Sequence, residues 1–133
     1  LYSRIAYGFL FAGLVLGTVY AADLKNFALY DLTIHYVAIG FIGVTIMLYL
    51  PIMIPPILEK SVRFLEFNHI PLVLILSGLA IRTVGDYVLT LGVREQTGVI
   101  LGVSGFVVLS GMFLFVRMIH RAMKNPHSDL PVA

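Results

Sequence analysis

A membrane-embedded all-α fold, a four-helix bundle, is what three features of the sequence predict. Hydrophobic residues fill 59% of the 133 positions and charged residues only 12%, where a soluble domain carries about a quarter charged residues. Mean hydropathy is +0.98. The apolar residues also collect into four long runs separated by short charged stretches. So little charge cannot cover a water-facing surface, which excludes an ordinary soluble enzyme. The absence of cysteine excludes disulfides, thiolate catalysis, iron–sulfur clusters and thiolate zinc sites. A net charge of +2 with a pI of about 9.1 gives no warrant for nucleic acid as a partner.

The first run covers residues 5–22, opened by Arg4 and closed by Asp23 and Lys25. It lacks a cleavage context and three more apolar runs follow, so it is not expected to be a signal peptide. The second covers 30–58 and closes at Glu59 and Lys60; Pro51, Pro55 and Pro56 predict a kink near Pro51 and an end around Pro55. The third covers 69–91, with Pro71 in its first turn, where a missing N–H costs nothing. The fourth covers 97–119 and is followed by His120 and Arg121. Crossing the hydrocarbon takes roughly 20 helical residues. Lipid admits only helices or closed barrels, and none of these runs alternates as a barrel strand does. Residues 1–124 are therefore expected to form one transmembrane domain, with 125–133 a loose cytoplasmic tail.

Charge sets the orientation. Four crossings put both termini and the loop after the second run on one side, which carries Arg4, Lys60, Arg63, Arg117, Arg121 and Lys124, six of the nine basic residues. The positive-inside rule makes that side the cytoplasm, and the plasma membrane is the expected location. Glu59 and Glu66 border the cytoplasmic loop and are expected to face water. Small residues recur at helix-packing spacings: Gly13 and Gly17, Gly40 and Gly43, Ser77, Gly78 and Gly85, and Gly98, Gly102, Ser104, Gly105 and Gly111. They suit a close-packed bundle, a surface for another subunit, or both.

The expensive residues are the polar ones inside the runs. Asp31 and His35 are four apart, as are Arg82 and Asp86, so each pair shares a helix face. Both pairs fall in the outer leaflet, and unpaired charge there turns toward the bundle. Asp31, His35, Arg82 and Asp86 are therefore expected to cluster between the second and third helices. One reading makes His35 a haem or metal ligand, its other ring nitrogen held by an acceptor, with Arg82 on a propionate. The other makes Arg82 and Asp86 an ion pair while His35 bonds a neighbouring helix. His69 and His120 share the opposite leaflet, and His127 lies in the tail. Most tyrosines, with Phe64 and Phe67, suit an interfacial belt. Ser104 and Ser110 have no basic partner in sequence, so no catalytic residue is identified.

The stretch Asp31-Leu-Thr-Ile-His35-Tyr-Val-Ala-Ile-Gly40-Phe-Ile-Gly43, followed later by Ser77-Gly-Leu-Ala-Ile-Arg82-Thr-Val-Gly85, resembles helices of the NnrS family and of membrane haem proteins related to haem–copper oxidase subunit I. The resemblance is confined to the second and third runs. It implies haem and copper chemistry in a larger bundle and carries His35 over as a ligand. The expected function is an accessory or structural subunit of a multi-subunit, respiratory-type membrane redox complex, not catalytic on its own. Larger integral membrane subunits and lipid would be its partners, and haem, quinone or lipid its ligands. The alternatives are a small haem-binding electron-transfer protein and an oligomeric transporter or channel.

Overall fold

A computed structural model describes residues 1–58, 69–92 and 94–124. Lys60, Arg63, the acids Glu59 and Glu66, Phe64, Phe67, His127 and the 125–133 tail lie outside the described residues. The first run folds as α1, Tyr2–Ala22. Asn26 then restarts the chain by accepting the Leu29 N–H at 3.4 Å, which satisfies one of the donors a helix start leaves open. From there one rod runs through α2 (Phe27–His35), a π-helical segment (Tyr36–Gly43) and α3 (Val44–Leu58). The third run is α4, Ile70–Thr90, with Pro71 in its first turn. The fourth is α5, Arg94–Lys124.

Each helix differs somewhat from its sequence expectation. α1 begins at Tyr2, and α5 extends beyond 97–119 at both ends to 31 residues. At 1.5 Å per residue α5 is about 46 Å long, against a hydrocarbon core of about 30 Å. The rod does not end near Pro55: α3 contains Pro51, Pro55 and Pro56 and continues to Leu58. Proline's fixed φ is helical, all three prolines fall in the last two turns, and Pro51 is buried in the bundle. The departure from regular helix comes earlier, at Tyr36–Gly43. Bonds there run i→i+5, so the ladder shifts, and the buried face resumes at Val44, Met47 and Pro51.

Among the described residues the architecture is all-helical, and four helices are long and apolar enough to cross a membrane: Tyr2–Ala22, Phe27–Ile57, Ile70–Thr90 and Glu95–Lys124. α4 is central. A third of its most apolar window (33%) is buried, against 11% for α1. It packs along α5 on one side and meets α2 and the π-segment on the other, while α1 lies along the whole rod. Two glycines allow the closest approaches. A Cβ on Gly78 would overlap Val108 and come within 3.1 Å of the Ser104 carbonyl, and one on Gly40 would sit 2.5 Å from the Phe9 ring.

The core joins all four helices near one end, with Tyr2 and Ala6 of α1, Val44 and Met47 of α3, Leu72 and Ile75 of α4, and Phe115 and Ile119 of α5. Tyr2 also reaches His69, just before α4, with its hydroxyl 3.1 Å from Nδ1. The start of α1, the start of α4 and the end of α5 therefore share one end of the bundle. The turns at Asp23–Asn26 and Leu91–Gly92 close the other.

Candidate functional site

Asp31 enters the bundle one turn into α2, facing α4, and Arg82 meets it from the middle of α4. The guanidinium donates through Nε to Oδ2 at 2.8 Å and through Nη2 to Oδ1 at 3.0 Å, the two-pronged geometry that suits a planar fork against a carboxylate. Both side chains are largely sheltered, at 21% and 12% exposure. The i, i+4 spacing of Arg82 and Asp86 suggests an ion pair within α4; instead Arg82 reaches across to α2. Among the described residues nothing bonds its third nitrogen, Nη1.

His35 follows Asp31 by one turn, and its Nδ1 lies 2.7 Å from the Asp31 backbone carbonyl. A carbonyl oxygen can only accept, so Nδ1 carries the hydrogen, and in the neutral ring Nε2 carries the lone pair. The acceptor that orients the ring is thus the backbone of Asp31, and its carboxylate stands 3.5 Å from the same nitrogen. Tyr36, the next residue, bonds the Thr83 hydroxyl at 2.8 Å, and Thr83 in turn donates to the Leu79 carbonyl. That link ties the start of the π-segment to α4 one residue from Arg82.

Asp86 completes the cluster with different chemistry. It is 1% exposed, and no donor reaches either carboxyl oxygen. It sits one turn beyond Arg82 on α4, so the cluster holds a bonded acid, Asp31, and a second, unbonded one.

Beside the cluster lies a partly open groove of about 200 Å³ between helices. His35 and Ile39 form one wall, and Leu79 and Arg82 the floor. α5 supplies the other wall, including Ser104 and Gly105. Ser104 is buried and spends its hydroxyl on the Leu101 carbonyl at 2.7 Å. At this groove α5 hugs α4 at Gly78, where a Cβ would overlap Val108. Gly78, Ser104 and Gly105 gave no sign of this role in sequence, where they read only as packing residues. The pairing of Tyr36 with Thr83 was equally hidden, since nothing local marks two residues 47 positions apart.

The remaining histidines stand apart: His69 is with Tyr2 at the other end of the bundle, and His120 is exposed on α5. Among the described residues no three histidine, aspartate or glutamate side chains are grouped to hold a metal ion.

Comparison with curated proteins and with solved structures returns no match. Residues 5–118 match the family model described as Domain of unknown function (DUF8744), and with most of its length covered, the chain belongs to that family.

Proposed function

We propose that the protein is an accessory transmembrane subunit of a membrane redox complex. Its four helices cross the plasma membrane with both termini in the cytoplasm, and it packs against larger integral subunits through the outward face of α5. The observation that carries this reading is the surface pair Gly98 and Gly102. They recur at i and i+4 on one helix face, and a Cβ on either would meet nothing within 4 Å. Gly13, Gly40, Gly78, Gly85 and Gly111, by contrast, all face neighbours inside the bundle.

Each glycine in a helix interior costs about 1 kcal/mol relative to alanine. Lipid tails gain nothing from a smooth helix face, whereas another helix does, because small residues let backbones approach. The six basic residues on the side of the termini support the orientation. The redox assignment draws its support from the resemblance of residues 31–43 and 77–85 to membrane haem proteins. A haem carried by this chain alone has one feature in its favour, the unbonded Nε2 of His35. Against it, Asp31 already occupies two nitrogens of Arg82, and the groove is small.

The test is the size of the particle extracted from native membranes by a mild detergent. The native chain is expected in a high-mass complex with a reduced-minus-oxidised absorption spectrum. Gly98→Leu with Gly102→Leu should release it as a smaller, equally helical species. Recovery of the native chain alone at monomer mass would defeat the subunit reading, and a complex without redox absorption would defeat the redox part. A Soret band in the isolated chain that vanishes in His35→Ala would favour the haem reading instead.

A further inference from the structure

The groove between the rod and α5 has a lining whose chemistry suits a particular class of ligand. Its lining comes from the middle of apolar helices, yet two polar atoms of that lining have no partner among the described residues. One is Nε2 of His35, an acceptor, because Nδ1 is committed to the Asp31 carbonyl. The other is Nη1 of Arg82, a donor, because Nε and Nη2 are committed to the Asp31 carboxylate. Bare polar atoms facing hydrocarbon are costly. Both residues line the same groove, so a group that donates and accepts through one oxygen would satisfy the pair. A hydroxyl does this. A carboxylate offers no proton to Nε2, and an ammonium offers no acceptor to the arginine.

Size and walls narrow the choice further. The volume of about 200 Å³ compares with roughly 150 Å³ for an apolar protein cavity that takes up a benzene molecule. One substituted six-membered ring fits that scale, and a porphyrin does not. The remaining lining is apolar, from Ile39, Leu79, Val108 and Leu109, with Met112 adding a thioether, which makes favourable contact with aromatic rings. The groove is open rather than enclosed, which leaves room for a long apolar substituent to continue out of it.

We infer that this groove binds the ring of a lipid-soluble quinol, one hydroxyl donating to His35 Nε2 and accepting from Arg82 Nη1. This deepens the redox reading above and rests on its membrane-spanning part. It does not depend on the docking of a partner, so the two fail separately: docking is read from particle mass, and binding from the isolated chain.

The experiment uses the full chain in phosphatidylcholine nanodiscs with 2-decyl-1,4-benzoquinol as the probe, kept reduced, and counts bound quinol after subtracting empty nanodiscs. Saturable binding is expected. In ¹⁵N-histidine-labelled protein the His35 Nε2 resonance should move on titration while Nδ1 stays in place. His35→Phe should weaken binding roughly tenfold, the loss of about one hydrogen bond. Gly105→Leu fills the groove without touching the polar cluster, since its Cβ meets nothing within 4 Å. It should weaken binding at least as much while helix content and unfolding midpoint stay native, which guards against a His35→Phe variant that fails to fold. The oxidised probe, which has no proton for Nε2, and cholesterol, whose hydroxyl sits on a fused ring system, should both bind more weakly. Uptake that scales only with lipid would overturn the inference. So would a native affinity in Gly105→Leu, or equal binding of cholesterol or of the oxidised probe.

Discussion

Replacing Asp31 by asparagine removes the carboxylate that Arg82 grips with two bonds and leaves a sheltered guanidinium without its counter-charge. Breaking a buried pair from one side costs about 3–5 kcal/mol, so Asp31→Asn should lower the unfolding midpoint sharply in detergent denaturation. The double variant Asp31→Leu with Arg82→Met should recover most of that loss, because it removes both charges together. Asp86 should respond in the opposite sense. Its oxygens have no donor among the described residues, so Asp86→Asn, which removes a buried acid that no bond holds, should leave the midpoint unchanged or raise it; a large fall would contradict this account of the cluster. At this scale the sequence shows which residues are expensive, because charge inside an apolar run stands out. It does not show who pairs with whom. Arg82 has an acid four residues away on its own helix and another 51 residues away on α2, and only the packing of the helices selects the second.

The helices themselves were largely legible, since a run of some 20 apolar residues has few alternatives in lipid. The π-segment was not. Gly40 and Gly43 lie within it, but glycines also serve plain helix packing, and the extra residue per turn depends on contacts made elsewhere. Gly40 sits against Phe9 of α1, while Tyr36 holds Thr83 of α4. Tyr36→Phe should therefore cost about 1 kcal/mol, the usual worth of a neutral hydrogen bond, measured by the same denaturation. The prolines misled for a related reason: each removes one N–H from the ladder, but its φ is helical, so the rod runs on through all three. Glycine positions divide by what surrounds them. Gly78→Ala should separate α4 from α5 and cost about 1–3 kcal/mol by overpacking. Gly102→Ala, with open space around its Cβ, should leave the isolated chain as stable or slightly more so. Equal effects at the two sites would mean that the α4–α5 contact is not as close as described.

For the molecule as a whole, the bundle has two ends. α1, α4 and α5 bring Tyr2, His69 and Ile119 to one of them, while Asp23–Asn26 and Leu91–Gly92 close the other. The chain has no cysteine, so single cysteines at Lys25 and Lys124 give a clean test of topology. An impermeant thiol reagent added outside intact cells should label the first and spare the second; labelling of both, or of Lys124→Cys alone, would reverse or abolish the proposed orientation. Sequence by itself determined the class of fold, the number of apolar helices and the identity of the costly polar residues. These follow from composition and period along the chain, because burying a charge or an open backbone in hydrocarbon carries the same penalty whatever the neighbours are. Only the tertiary structure decided that Arg82 belongs to Asp31 and that His35, its Nδ1 held by the Asp31 carbonyl, lines a groove with Arg82. It likewise decided that Gly98 and Gly102 of α5 face open space while Gly111 of α5 and Gly78 and Gly85 of α4 meet their neighbours. Each of these depends on the rotation and separation of helices about their axes, which side-chain packing between distant segments sets and no single segment encodes.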